Sequence, residues 1–515
     1  MAGLRGSKRF ARADARSLLP TPFPMPLRFF RAAGRPLALA AALVTAAGCG
    51  TSQNFITGGK QPGAYTWAEE VQIGRESDPQ IVAQFGEYDN PQVQQYVDRV
   101  SEQVLAASAL RTDQVPAEVR STPFTFRVLD SPVVNAFALP GGFVYVTRGL
   151  MTHLNNEAQL AVVIGHEIGH VAGRHASNQA AQAQRNQIGL IGAAILSETV
   201  LGGGGGTILQ QGSQALGLLS LKYGRDAERQ SDEAGVAWAE FAGYDAAPSA
   251  DFFRSLQRLS AESGQAIPSF LSSHPDPGER AQTVTALAAQ NPNGTAIDQD
   301  EYLAVINGMI MGDNPRNGFF ENNRFYQPDL RIQFAYPNGW RTQNAAQYVQ
   351  IADPNGGQAI ILQLSRAGSA QAAAQAAGQQ QGVRVISNRS TTVNGLPAVR
   401  MELEAQSQQG ALGAIVYYIE YGGNVYDFMG IAGGALPTAL DQYLQSFASV
   451  SDPNVLNRQP TLLEVVRAPR TASFSSFLQG RPMPPGMDAN GLAILNQVNL
   501  NDTITAGTSL KLPRD

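Results

Sequence analysis

The chain has 515 residues, room for two to four domains. Charged residues make up only 15% and the net charge is −5, so the basic field of a nucleic-acid binder is missing. With a single cysteine, Cys49, no intrachain disulfide can form.

The first feature along the chain is "RFFRAAGRPLALAAALVTAAGCG". Arg28, Arg31 and Arg35 precede an apolar run from Pro36 to Ala47, and small residues lead to Cys49. A basic start, a short apolar core and a small-residue site read as an export signal over residues 1–48, too short to cross a bilayer. Met25 is an expected alternative start. With cysteine at its end the stretch resembles a bacterial lipoprotein signal. That resemblance implies lipidation of Cys49 as the mature N-terminus, and hence a membrane anchor. Gly50 stands where enteric lipoproteins retained at the inner membrane carry aspartate, which implies the outer membrane in a Gram-negative cell. Residues 49–64 are polar and glycine-rich, as a tether would be.

Two helices are expected next, in "YTWAEEVQIGRESDPQIVAQFG" and "NPQVQQYVDRVSEQVLAAS". In the second, Val93, Tyr96, Val97, Val100 and Val104 recur at helical spacing. "FTFRVLDSPVVNAFALPGGFVYVTRGL" reads as two strands around the Pro140-Gly141-Gly142 turn. "EAQLAVVIGHEIGHVAGRHASNQAAQAQRN" reads as one long helix capped by Asn155 or Asn156. Apolar segments then flank five glycines, Gly202 to Gly206. They fit a lid or a membrane-touching hairpin, and equally a core helix with a loop. "DAERQSDEAGVAWAEFAGYD" and "DFFRSLQRLSAES" return to helix.

Beyond residue 293 the pattern turns to alternation, as in "LRIQFAYPNGW", where Leu330, Ile332, Phe334 and Tyr336 share a face. With helices in "SAQAAAQAAGQQQ" and "PTALDQYLQSFASV", residues 318–452 are expected to form an α+β domain. It contains no histidine. The fold class expected for the whole chain is α+β. A mainly helical domain with a small sheet over 65–292 precedes the 318–452 domain and a tail at 460–515.

Three of the five histidines fall within "VVIGHEIGHVAGRHA". His166 and His170, four apart, lie about 40° apart on a helix, one turn from each other, so both can reach one ion. Glu167 points beside that ion, where it can hold a water and take its proton, the H-E-x-x-H arrangement of zinc proteases. His175 is nine residues after His166, about 180° around a continuous helix, and is expected to face away as a structural or surface residue. A third ligand must come from elsewhere. Glu228 and Asp232 share a helix face and suit ligation and orientation of a ligand histidine. A solvated acidic face explains the same spacing.

Four stretches in order carry a family resemblance: "NAFALPGGFVYVTRGL", "EAQLAVVIGHEIGHVAGRH", "RDAERQSDEAGV" with "AGYD", and "SSHPDPGER". Over Tyr65 to Gln290 they resemble the gluzincin metallopeptidases that include the CAAX prenyl protease, HtpX, the mitochondrial Oma proteases and the β-barrel assembly-enhancing protease. The resemblance implies one zinc ion per chain on His166, His170 and Glu228, with Asp232 behind them and Glu167 as general base. It implies that the edge strand Asn135, Ala136, Phe137, Ala138 with Gly141 and Gly142 binds an extended substrate peptide. It also gives His274 a place in the active site, stabilising the oxyanion or ligating zinc in a closed resting state. The bare residues allow a solvent-exposed loop histidine there. After Gln290 no 34-residue repeat of the assembly-enhancing protease is found. "LAILNQVNLNDTITAGTSLKLP" resembles half of a LysM module, which implies peptidoglycan binding.

The expected function is a zinc endopeptidase of the bacterial periplasm. It would be lipid-anchored at the outer membrane and act on misfolded or unassembled envelope proteins. The rival is a non-catalytic scaffold or peptidoglycan-binding lipoprotein, which would have no use for Glu167.

Overall fold

A computed structural model describes residues 50–187, 223–262, 274, 277–290, 292–407 and 410–514. The export signal, Cys49 and the Gly202–Gly206 run lie outside the described residues. Residues 50–63 differ from the expected tether. β1 (Gly50–Gln53) and β2 (Lys60–Gly63) pair as an antiparallel hairpin. Its turn side chain Phe55 is buried edge-on against Trp67, with ring centroids 5.7 Å apart. The hairpin is tied down by the Phe55 N–H, which donates to the Ala172 carbonyl at 2.9 Å.

α1 (Trp67–Phe85) starts at a capping box in which Thr66 and Glu69 satisfy each other's backbone N–H groups. α2 (Pro91–Ala107) is capped by Asn90 and buries the expected stripe of Val93, Tyr96, Val97, Val100 and Val104. Three strands follow, not two. β3 (Thr125–Leu129) lies parallel to β5 (Phe143–Thr147), and β4 (Ala136–Leu139) pairs antiparallel with β5. The order β3-β5-β4 leaves β4 at the sheet edge. Alternation signals a strand but not its partner, so the parallel pairing was not legible.

α3 (Arg148–His153) leads into α4 (Glu157–Ala172), capped by the Asn156 side chain on the Gln159 N–H. All sixteen residues of α4 are buried. The expected long helix breaks after Ala172. Arg174 takes a left-handed φ of 52°, and α5 (His175–Gln187) starts in a new direction. The Arg174 side chain is held by buried Glu70, at 2.8 and 3.0 Å, and by the Tyr65 carbonyl at 2.6 Å. α6 (Arg225–Phe241) packs tightly on α4, because a Cβ on Gly235 would lie 2.8 Å from the His166 backbone N. α7 (Ser249–Glu262), α8 (Pro277–Gln290) and α9 (Gln299–Ile306) complete this part.

In the second region β6 (Phe319–Glu321), β7 (Arg324–Gln327), β8 (Ile332–Ala335) and β16 (Ala448–Ser449) form a four-stranded sheet. β9 (Arg341–Asn344), β10 (Tyr348–Ala352), β11 (Gln358–Leu364), β12 (Val383–Val393), β13 (Leu396–Ser407), β14 (Gly410–Tyr421) and β15 (Asn424–Gly433) form a seven-stranded one. Its order is β12-β13-β14-β15-β11-β10-β9. One core of the large sheet includes Ile332 and Phe334, with Leu330 and Tyr336 beside them, the face expected from the alternation. α10 (Ala370–Gly378) supplies alanines to a second core on the same sheet.

The tail has the order strand, two short helices, strand: β17 (Leu462–Arg467), α11 (Phe474–Phe477), α12 (Ala489–Leu495) and β20 (Ser509–Arg514), with β17 and β20 antiparallel. Two short strands, β18 (Ala472–Ser473) and β19 (Thr503–Ile504), pair between them. The tail does not stand apart as a separate module. Leu463, Phe474, Leu492, Leu495 and Leu510 share one hydrophobic core with α2, α4 and α7.

Candidate metal centre

α4 presents His166 and His170 on one face, with their Nε2 atoms 2.9 Å apart. The close α4–α6 packing brings Glu228 opposite. Its Oε2 lies 3.6 Å from His166 Nε2 and its Oε1 3.5 Å from His170 Nε2. His274 Nδ1 joins them, 3.1 and 3.2 Å from the two Glu228 oxygens and 3.2 Å from His166 Nε2. These four donor atoms all lie within 4.8 Å of one another, and all four residues are buried.

Two imidazoles and a carboxylate, all buried and turning lone pairs onto one point, are the donor chemistry of zinc. A tetrahedral zinc with bonds of about 2.0–2.1 Å places its ligands about 3.3 Å apart, close to the separations observed. His166, His170 and Glu228 therefore fit the ion. Burial holds the His166 imidazole down at about 4, with Arg280 adding to it, and drives His170 well below the usual range. Both rings are thus kept neutral, as ligands must be.

Asp232, one turn after Glu228 on α6, lies 2.9 Å from His166 Nδ1. A His166 that ligates through Nε2 donates its Nδ1–H to this carboxylate. Asp232 is clamped from the other side by Arg280, at 2.6 Å from Nη2 and 3.0 Å from Nε. Burial alone would raise the Asp232 carboxyl, but Arg280 and His166 outweigh it and hold it well below the usual carboxylate range. Arg280 also stacks over Phe253, 4.4 Å from the ring centre.

Glu167 is fully buried, and neither carboxylate oxygen has a hydrogen-bond partner among the described residues. His274 stands beside it, with Nε2 3.5 Å from Glu167 Oε1. Burial pushes its carboxyl up to about 7, against the pull of His274. His274 is buried too, so it is not an exposed loop residue. Burial disfavours its charge, but Glu228 and Glu167 outweigh that and raise it above the ordinary value.

His175 departs from expectation. It is buried, and its Nδ1 lies 2.9 Å from His170 Nδ1. The left-handed Arg174 turns the chain back, so the arithmetic of a continuous helix fails. Tyr223 went unrecognised in the sequence. Its ring stacks on His170 with centroids 4.1 Å apart, and the only hint was an aromatic residue just ahead of the Glu228 helix. Arg280 was visible only as the arginine of the His274 stretch.

Of the expected peptide-binding residues, Ala136, Phe137 and Ala138 lie on the edge strand β4. A small cavity between β4 and the metal site is lined by Ala138, Leu139, His170, Arg174 and Tyr223. Asn135 stands just before the strand, its carbonyl accepting from the Thr147 N–H at 3.0 Å and its N–H donating to the Thr147 hydroxyl at 3.1 Å. Gly141 and Gly142 do not line that cavity. They form the turn, and a Cβ on Gly141 would lie 2.3 Å from the Val71 Cα on α1.

Residues 91–288 match the family model "Peptidase family M48". The β-barrel assembly-enhancing protease of Yersinia pestis is 30% identical over 238 residues, 44% of this chain and 45% of that protein. The mitochondrial metalloendopeptidase OMA1 of Arabidopsis thaliana is 33% identical over 155 residues, 30% of each chain. This chain therefore spans less than half the length of the relatives that it matches. A solved structure, cyanobacterial PsbP from Synechocystis sp. PCC 6803, covers 24% of this chain and 91% of its own, at 14% identity. With a TM-score of 0.21 that likeness carries no assignment. The match and the converging donors fall on the same residues, so the segment 91–288 that is similar to Peptidase family M48 carries the His-His-Glu donor set of a zinc site.

Proposed function

We propose that the protein is a zinc endopeptidase of the bacterial cell envelope, acting on misfolded or unassembled envelope polypeptides. The observation that carries the reading is Glu167, a buried carboxylate without a hydrogen-bond partner among the described residues, set beside three converging zinc donors. A scaffold gains nothing from such a group, whose burial costs stability.

Zinc, when bound, supplies Lewis-acid activation of water and of the scissile carbonyl. Glu167 takes the proton of the attacking water and returns it to the departing amine. Asp232 and Arg280 fix the His166 ring, and Tyr223 covers one face of His170. The edge strand β4 offers backbone groups to an extended substrate, a mode that reads main chain more than side chains. That suits a protease of unfolded chains.

The nearness of His274 Nδ1 to the other donors supports a closed resting arrangement. If its Nδ1 took the fourth position on a bound zinc, no place would remain there for a substrate oxygen. The envelope address rests on the export signal ending at Cys49, on the lipid anchor that it implies, and on the Yersinia relative, whose name concerns β-barrel assembly. For the tail, a strand–helix–helix–strand order is compatible with a peptidoglycan-binding LysM role.

The purified protein is expected to carry one zinc per chain and to cleave unfolded casein until a chelator removes it. Glu167→Gln should keep the zinc and lose cleavage. A Glu167→Gln protein as active as wild type would overturn the assignment of the base, and a wild type without zinc would overturn the whole reading.

A further inference from the structure

We infer that His175 is a positioning residue for the metal ligand His170, held in turn by Gln230 and by Asn54 of the N-terminal hairpin. The inference rests on the zinc reading of His166, His170 and Glu228.

The hydrogen-bond chain has one consistent assignment. His170 turns Nε2 toward the other donors, so as a ligand it carries its proton on Nδ1. That Nδ1–H donates to His175 Nδ1 at 2.9 Å. His175 Nδ1 must then be an acceptor, which places its own proton on Nε2. The Nε2–H faces Gln230 Oε1 at 3.4 Å. The same Gln230 oxygen accepts from Asn54 Nδ2 at 2.9 Å. Asn54 is itself fixed, because its Oδ1 accepts from the backbone N–H groups of Ile56 and Thr57 at 2.9 and 3.1 Å. The Ser231 hydroxyl lies further from His175 Nδ1, at 3.4 Å, so the His170 N–H holds the nitrogen's one lone pair.

The backbone is shaped around this ring. A Cβ on Gly173 would come within 2.3 Å of His175 Nε2. Arg174 adopts a left-handed conformation that L residues rarely take, and Glu70 and the Tyr65 carbonyl hold it there. Without that reversal His175 would lie on the far side of the helix. An imidazole is also a suitable acceptor here. The pocket already buries Glu167, Glu228 and Asp232, and a neutral ring orients His170 without a fourth carboxylate. Asn54 lies five positions after Cys49, so the hairpin beside the anchor site takes part in setting the metal centre.

Partners that accept a ligand histidine's outer N–H typically govern metal affinity by about 10- to 100-fold. The test is zinc affinity of the full-length protein by chelator competition, with the visible spectrum of the cobalt(II)-substituted form. His175→Leu should lose zinc affinity within that range and shift the cobalt bands. In cleavage assays its kcat should fall with little change in KM. His175→Asn, whose Oδ1 can accept the same N–H, should recover most of the affinity. Gln230→Leu, one link further out, should show a smaller loss in the same direction. Wild-type affinity and spectrum in a folded His175→Leu protein would overturn the inference and leave the zinc reading intact. So would a loss that His175→Asn does not recover, which would mark a packing role. If His175→Leu does not fold, unchanged zinc affinity in Gln230→Leu overturns it. A wild type that binds no zinc would remove both readings.

Discussion

His274 touches both halves of the catalytic apparatus, with Nδ1 3.1 Å from Glu228 and Nε2 3.5 Å from Glu167. If the imidazole closes the site at rest, His274→Ala should raise cleavage of a short fluorogenic peptide and promote self-cleavage. If it serves the oxyanion instead, the same change should lower turnover by about 10²–10³. The geometry favours the first outcome, because Nδ1 already stands among the metal donors. A second buried histidine, outside the donor cluster, offers an acid probe. His153 is buried, with Nδ1 2.8 Å from the Gly149 carbonyl. Burial, aided by nearby Lys511, holds it at about 4 against an ordinary 6.5. As pH falls below 6.5 the unfolded chain takes the proton first, so stability is lost between about 6.5 and 4. A shift of that size is worth on the order of 3 kcal/mol. Urea unfolding at pH 7.5 and pH 4.5 should show a smaller drop for His153→Gln than for wild type, and equal drops would refute the assignment. The residues differ in how legible they were. His166, Glu167 and His170 declare themselves within five positions. Glu228 needed a family resemblance, because a ligand on another helix has no spacing to read.

At the scale of elements, the site depends on how closely α4 and α6 approach. Gly165 meets Gly235 where a Cβ on the former would lie 2.9 Å from the other's Cα, and Gly169 faces Ser231. That contact sets the distance from which Glu228 reaches the histidines. Gly235→Ala should push the helices apart and cost about 1–3 kcal/mol by overpacking. It should also weaken zinc binding, although residue 235 touches no metal donor's side chain. Thermal melting with and without chelator separates the two effects. A variant destabilised equally in both would show that the close approach serves packing alone. Helix α4 was legible as an element because its cap and its length are local. Its end was not. The left-handed turn at Arg174 is stabilised by Glu70, which lies 104 positions earlier, and no local pattern reports a partner so distant. The third strand of the small sheet hid for a similar reason, since β3 pairs with β5 across the intervening β4.

At the scale of the whole chain, the sequence suggested a peptidase, an α+β domain and an appended tail, and the described contacts tie these together. Tyr348 donates to Gln84 at the end of α1 at 2.6 Å, and Asn317 donates to Asp130 at 2.8 Å, so the second region rests beside the small sheet. The tail is bound more deeply. Lys511 is buried, and its amino group donates to the carbonyls of Thr152 and Leu154, at 2.6 and 2.9 Å, where α3 ends. Lysine there satisfies carbonyls that the helix terminus leaves without partners. The Gln497 amide adds a bond to the His153 carbonyl at 3.1 Å. An appended binding module would be dispensable to the peptidase, whereas a tail that completes its core would not. Removing residues 460–515 would expose the apolar surface now covered by Leu463, Phe474, Leu492, Leu495 and Leu510, and would strand the α3 carbonyls. The truncated protein is therefore expected to be insoluble, or to melt lower by about 10 °C or more. Its loss of cleavage should then follow from unfolding, and full-length Lys511→Met should show a milder loss of stability in the same direction. A truncated protein that melts with wild type and keeps its peptidase activity would mean that the tail is a separable module after all. Peptidoglycan sedimentation of the full-length protein could then be compared directly with that of the truncated form.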